Sequence, residues 1–118
     1  MEEQIAKDQW AAFLQNFDRT HHGNEACIEI IGREFGDLEE ASWLPLSGIS
    51  YDPHADQIVV TVGGINSRYP AHLTHMIAQP TQLTVVQPPE GTSSSIQVLS
   101  ADETQTLIRF RRPPQLTA

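Results

Sequence analysis

The chain has 118 residues, of which 39% are hydrophobic and 19% charged, a composition typical of one globular domain. Its formal net charge is −8, and residues 1–40 contain ten acidic residues against three basic ones. Because this charge repels phosphate backbones and anionic lipid surfaces, the composition argues against nucleic-acid binding and membrane binding.

The first predicted element is a helix over residues 8–20. Its apolar residues follow the i, i+3, i+4, i+7 spacing that places them on one face, namely Trp10, Phe13, Leu14 and Phe17. Asp8 is a suitable N-cap because its carboxylate can accept from the free N–H groups of the first turn. At the other end, the helix dipole favours the cationic forms of His21 and His22.

From residue 26 the apolar pattern changes to a period of two, which predicts a run of about six or seven short strands. The first is ACIEII (26–31) and the second is EASWLPL (40–46), where Pro45 indicates an edge strand or a bulge. GISYD and QIVVTV follow on either side of the turn PHAD, then QLTVVQ, and then SIQVLS and TQTLIRF around the turn ADE. Tight turns of this kind join antiparallel neighbours.

Residues 67–80, SRYPAHLTHMIAQP, are predicted to form a short helix or turn, because Leu73, Met76 and Ile77 match one helical face. The order of elements predicts an α+β fold. In it, an N-terminal helix packs on a twisted antiparallel sheet or half-barrel of about six or seven short strands. We expect a single domain over residues 1–118, with residues 1–6 and 113–118 frayed.

Three motifs stand out in combination: WxxFL at 10–14, LPLxGISYDP at 44–53 and HxxHxIxxP at 72–80. Together they resemble a family of small bacterial proteins of unknown function. The resemblance covers most of residues 8–110 and implies a compact, single-domain bacterial protein. It implies no reaction, ligand or catalytic residue.

The cellular compartment is predicted from what the chain lacks. The start, MEEQIAKDQW, has no apolar segment of the kind that a secretory signal peptide needs, and IVVTVGGI is too short to span a bilayer. Cys27 is the only cysteine, so no intrachain disulfide can form. Its apolar strand and acidic neighbours predict a buried, unreactive thiol. We therefore expect a cytoplasmic protein.

The first candidate site is the histidine pair His72-x-x-His75. At helical spacing both imidazoles would lie on nearly the same face, where they could bind zinc if a third ligand were close. Asp52, His54 or Asp56 could supply that ligand, but the Asp-Pro pair there is better explained as a turn, in which an aspartate accepts from the backbone. Histidines that are solvated or hydrogen-bonded are the competing interpretation.

The second candidate is a protein-interaction surface. Trp43 lies beside Pro45 on a predicted edge strand, and an exposed aromatic residue on an edge invites pairing with a second subunit or a peptide. Glu39 and Glu40 belong to the acidic first forty residues, which form a docking face for a basic partner or simply a solubilising surface.

No complete catalytic set can be assembled from these residues, and a GxSxG motif is absent. We therefore interpret the chain as a non-enzymatic interaction or regulatory module without a cofactor. Its partner would be another protein or a second copy, contacted through Trp43, Glu39 and Glu40. The alternative is a metal-binding protein or metal-dependent enzyme centred on His72 and His75.

Overall fold

The structure, a computed structural model, describes residues 2–32, 36–64, 72–87 and 93–112. Within the strands, the side chains at positions 37, 39–42, 72 and 93 fall outside this description. The elements in chain order are β1 (Glu2–Ile5), a 3-10 helix (Lys7–Gln9), α1 (Trp10–His21), β2 (Glu25–Gly32), β3 (Gly36–Asp52), β4 (Gln57–Gly63), β5 (His72–Ala78), β6 (Pro80–Val86), β7 (Ser93–Ser100) and β8 (Gln105–Arg111).

The strands in the described ranges form one antiparallel sheet in the order β1-β6-β7-β8-β2-β3-β4-β5. The predicted α+β class with one helix and an antiparallel sheet is confirmed, but eight strands replace the expected six or seven. Only Gln79 separates β5, at one end of this order, from β6, next to the other end. The sheet is therefore curved enough for its two ends to approach each other at this residue.

The helix packs on the sheet through the predicted apolar stripe, whose buried members are Trp10, Leu14 and Phe17. The indole Nε1 of Trp10 donates to the carbonyl oxygen of Ile5 at 2.8 Å, and the Trp10 ring meets Tyr51 edge-on with centroids 5.2 Å apart. Phe17 meets Phe110 in the same way, with centroids 4.9 Å apart. These contacts fix the helix against β1, β3 and β8.

The helix ends differ from the expectations. Asp8 does not cap α1, because it lies inside the 3-10 helix and Gln9 is the N-cap, without a side-chain hydrogen bond. At the C-terminal end the His21 ring stacks on Phe17 with centroids 3.8 Å apart. Burial lowers the pKa of His21, although its hydrogen bond with the Phe17 carbonyl acts in the opposite direction. The pKa of His21 therefore shifts in the direction opposite to that expected at a helix C-terminus, and burial is the largest cause.

β3 is one continuous strand of 17 residues where the pattern predicts two strands. Residues 36–45 pair with β2, and residues 46–52 pair with β4. Register shifts lie on either side of this change, one next to Trp43, which has a φ of 52°, and one next to Gly48. Bulges bend and twist a strand, which lets one strand serve two parts of a curved sheet. Pro45 itself pairs with Glu25 between these two shifts, and within the described ranges residues 36–45 pair with β2 alone, so the segment around Pro45 is a local edge with a bulge on either side.

The two predicted hairpin turns are present, between β3 and β4 and between β7 and β8. In the first, Oδ1 of Asp52 accepts from the backbone N–H of His54 at 3.0 Å. In the second, Oδ1 of Asp102 accepts from the backbone N–H of Thr104 at 3.0 Å. In both turns an aspartate accepts from the backbone N–H two residues further along the chain, as predicted for Asp52.

Two further predictions, for residues 67–80 and for the N-terminal residues, differ from the structure. The predicted helix or turn over 67–80 is wrong from residue 72 onward, because residues 72–78 form β5 and Pro80 begins β6, while 67–71 lie outside the described residues. Pairing with β4 buries Ile77 against Ile58, so tertiary contacts decide the conformation there. Residues 2–5, which we expected to fray, pair with β6 as β1, while 113–118 lie outside the description.

Candidate protein-interaction site

Trp43 lies at the bulge in β3 and is half-buried. The expectation of an edge applies to this part of the strand, because within the described ranges residues 36–45 of β3 pair with β2 alone and β4 pairs only with residues 46–52. The bulge lies on this edge. It leaves the Trp43 ring within reach of β8, on the side of the sheet opposite α1, which we call the outer face.

Arg111 covers the Trp43 ring. Its guanidinium carbon lies 3.9 Å from the ring centroid, within the range of a cation–π contact. Its Nε also donates to Oε1 of Glu25 at 2.8 Å, because the β2–β8 register places the two residues opposite each other. The planar guanidinium is therefore held by an aromatic face and a carboxylate at once, in one orientation.

A second ion pair lies one step along the same strands. Arg109 pairs with Glu29, which is displaced diagonally across the β2–β8 register. Glu25 and Glu29 alternate with the buried residues Ala26 and Ile28, so both carboxylates lie on the outer face. Two of the acidic residues in the first forty are thereby paired with arginines.

The two arginines border a surface hollow of about 430 Å³, which we call the Trp43 hollow. Its lining includes the apolar side chains of Trp43 and Val86, the hydroxyl-bearing Ser95, and the two arginines. The arginine side chains keep 50% (Arg109) and 42% (Arg111) of their surface exposed. Each guanidinium has five N–H donors, so donors remain for a ligand at the rim. The hollow can hold an apolar group flanked by acceptors.

The predicted acidic residues lie on the same strand as Trp43. The backbone of Glu39 pairs with Glu29, and Glu40 lies at the neighbouring register shift. Their side chains are outside the description, so the acidic docking face stays a prediction. Sequence reasoning missed Arg109 and Arg111 as site residues. The signal was their spacing of two, which places both arginines on one face of a strand, as the spacing of four does for Glu25 and Glu29 in β2.

The predicted histidine pair lies in β5, and the argument that placed both imidazoles on one face required a helix. The residue at position 75 pairs with Val60 and that at position 72 with Gly63. Where side chains are described, no group of three or more His, Cys, Asp or Glu could hold a metal ion. The side chain of His72 is outside that set, so the metal hypothesis for His72 and His75 stays a prediction.

The PHAD turn joins elements that are distant in sequence. The Tyr51 hydroxyl donates to Oδ1 of Asp56 at 2.7 Å, and Nζ of Lys7 lies 3.4 Å from the same oxygen. The hydrogen bond from Tyr51, and then Lys7, hold the pKa of Asp56 below its usual range, against the effect of desolvation. The same hydrogen bond raises the pKa of Tyr51. Asp52 and His54 serve the turn itself.

Comparisons with known proteins identify the family of this chain but no activity. The model of a family described as "Family of unknown function (DUF5335)" matches residues 1–118. An "Uncharacterized protein" of Aquifex aeolicus (strain VF5) is 26% identical over 107 residues, which cover 91% of this chain and 89% of the relative. No solved structure matches the chain. Over the described residues, no helix is long and apolar enough to cross a membrane.

Proposed function

The chain belongs to the DUF5335 family of unknown function, and we propose that it is a non-enzymatic protein-interaction module of the cytoplasm. In this proposal it binds an extended segment of another protein in the Trp43 hollow. The curved sheet serves as the scaffold that holds the hollow. Trp43, Arg109 and Arg111 are the contact residues.

The stack of Trp43, Arg111 and Glu25 is the observation that carries this proposal. Tryptophan and arginine are enriched where protein interfaces concentrate their binding energy, and both favour pockets beside apolar surface. Here the guanidinium lies 3.9 Å from the indole centroid and 2.8 Å from a carboxylate oxygen. Because these groups are ordered before a partner arrives, binding loses less side-chain entropy than it would on a mobile surface.

Charge defines the kind of segment that fits. Arg109, Arg111 and Arg112 form a local basic patch on a chain with a net charge of −8. Glu25 and Glu29 balance the charges of two of these arginines, so a carboxylate of the partner would be held at short range by the guanidinium N–H donors that remain at the rim. We propose a partner segment with one large apolar side chain for the hollow and Asp or Glu residues next to it.

The proposal keeps Glu39 and Glu40 as contacts at the rim. They precede Trp43 on β3 by four and three residues, within the length of one extended peptide. Basic residues of the partner, further along its chain, would meet these carboxylates. Complementary charge of this kind contributes more to association rate and orientation than to affinity.

A displayed library of short random peptides tests the proposal. Selection on the wild-type chain should enrich peptides that carry an apolar anchor beside acidic residues. These peptides should bind the Trp43→Ala variant at least tenfold more weakly, since an anchor of this kind contributes more than about 1.4 kcal/mol. The matched control is Gln15→Ala, an exposed change on α1 on the other side of the sheet, which should leave binding unchanged.

Two results would contradict the proposal. One is a selection that yields no peptide whose binding depends on Trp43. The other is a set of binders for which Trp43→Ala and Gln15→Ala have equal effects. Circular dichroism of both variants must first match the wild type, so that loss of binding is not loss of fold.

A further inference from the structure

A second hollow, of about 580 Å³, lies between β1 and the start of α1, and we call it the Phe13 hollow. Its volume falls within the range of roughly 300–1,000 Å³ that is typical of ligand sites. None of its lining residues borders the Trp43 hollow, so the two are separate surfaces. The lining residues are Glu3, Gln4, Ile5, Ala6, Gln9, Ala12 and Phe13.

The floor of the Phe13 hollow is apolar. Phe13 is the one member of the predicted helix stripe that α1 leaves half-buried. Its ring packs on the core beside Phe17, with centroids 5.9 Å apart, and Ile5 is half-buried against the same core. Ala12 is exposed next to them and adds little bulk. An apolar side chain of a partner would therefore be stabilised here by covering the remaining surface of Phe13 and Ile5.

The rim of the Phe13 hollow is negative. Glu3 lines the hollow and is exposed, and among the described residues no hydrogen bond or ion pair involves its carboxylate. Asp8 is also exposed and lies in the 3-10 helix, between the lining residues Ala6 and Gln9. Both carboxylates are thus available to a cation of a partner.

The basic residues nearby do not offset this charge. Lys7 is directed elsewhere, because its Nζ lies 3.4 Å from Oδ1 of Asp56 and 5.6 Å from the centroid of the Trp10 ring. Arg19 lies seven residues beyond Ala12 on α1, about 10 Å along the helix axis. The apolar floor is therefore bordered by negative charge at its β1 end.

We propose that the Phe13 hollow is a docking site for a basic segment of another protein. In it, one large apolar side chain enters the hollow and a neighbouring Lys or Arg pairs with Glu3. The apolar contact would supply most of the affinity, because an exposed ion pair contributes little, and charge would select the partner and speed the encounter. A second copy of this chain is a poor occupant, since two copies of net charge −8 repel each other. The proposal does not depend on the Trp43 hollow.

A displayed library of random peptides, selected on the Trp43→Ala variant, tests this site apart from the Trp43 hollow. The enriched peptides should carry Lys or Arg beside a large apolar residue such as Phe or Leu. Ala12→Trp in the same background should weaken their binding by about tenfold or more, because the indole would fill the hollow. The matched control is Ala11→Trp, the same change at an exposed neighbour that does not line the hollow, which should leave binding unchanged.

The charge is tested by comparing Glu3→Lys with Glu2→Lys. Both residues are exposed, and alternation along β1 places them on opposite faces of the strand. The two variants have equal net charge, but only Glu3 lines the hollow. Glu3→Lys should weaken binding of the basic peptides roughly fivefold more than Glu2→Lys at low salt. The difference should shrink in 1 M salt, where charges are screened beyond about 3 Å.

Three results would overturn the proposal. The first is a selection that yields no peptide whose binding Ala12→Trp weakens more than Ala11→Trp does. The second is a set of enriched peptides that are acidic or uncharged, or that Glu3→Lys and Glu2→Lys weaken equally. The third is a dimer in sedimentation velocity that Ala12→Trp dissociates, since a second copy would then be the occupant.

Discussion

Replacing Leu14 with alanine measures how firmly α1 is packed on the sheet. Leu14 is 0% exposed and belongs to the core cluster that joins the helix to the strands. Loss of three carbon groups removes about 2.4 kcal/mol of transfer free energy at about 0.8 kcal/mol for each. The cavity adds to this, and buried Leu→Ala changes cost roughly 2.7–5.0 kcal/mol in total.

We expect the free energy of unfolding to fall by about 3–4 kcal/mol, in the middle of that range. Trp10 and Phe17 border Leu14 on the helix stripe, and both are fixed by other contacts. Trp10 is held by its hydrogen bond to Ile5, and Phe17 by the ring of Phe110. Because these neighbours cannot collapse freely into the space, little of the cavity cost should be relieved.

Urea unfolding, followed by tryptophan fluorescence and far-ultraviolet circular dichroism, measures this loss. The urea midpoint should fall while the slope of the transition is unchanged. Gln15→Ala, an exposed change one residue along the helix, is the control and should stay within about 0.5 kcal/mol of wild type. A loss below about 1 kcal/mol for Leu14→Ala would refute the described packing of α1.

Three further outcomes follow from the same contacts. Arg111→Gln should cost less than about 1 kcal/mol of stability, as for other surface ion pairs, yet increase acrylamide quenching of Trp43, whose ring it uncovers. Tyr51→Phe should raise the pKa of Asp56 toward its usual range in a carbon-13 NMR titration. Because the pKa of Asp56 is lowered in the folded wild type, its ionised carboxylate stabilises the fold above the unfolded-state pKa, and this stability is lost as pH falls through the folded pKa. Tyr51→Phe should therefore be less stable than wild type above the unfolded-state pKa, and the two should converge at lower pH. His21 should titrate below 6.5 by NMR. Because the unfolded chain then binds the proton more readily than the folded one, the free energy of unfolding should fall as pH drops from 6.5 through the folded pKa. Titration of His21 at or above 6.5 would contradict the burial described.

Local sequence signals were sufficient for the helix stripe and the hairpin turns. Trp10 and Leu14 are placed by helical periodicity, and the aspartates of the two turns act on backbone groups two residues away. Such interactions depend on neighbours in the chain, so a short window of sequence contains the information. The bulge near Trp43 was also signalled locally, by the proline two residues later.

Non-local contacts account for what the sequence did not reveal. Leu73, Met76 and Ile77 have helical spacing, but pairing with β4 imposes a strand on them. The contact between Arg111 and Glu25 joins residues 86 positions apart, and only the β2–β8 register brings them together. The Trp43 hollow depends on that register as well, so no single motif could have predicted it.

The two tryptophans permit the most direct test of the proposed docking site. Trp10 donates its indole N–H to Ile5 in the core, while Trp43 lines the hollow, so each gives its own indole signal in a proton–nitrogen NMR spectrum. We would titrate nitrogen-15-labelled protein with the acidic, apolar-anchored peptide selected from the library. The account predicts that the Trp43 signal moves in proportion to bound peptide while the Trp10 signal stays in place. Binding that leaves the Trp43 signal unmoved would contradict it.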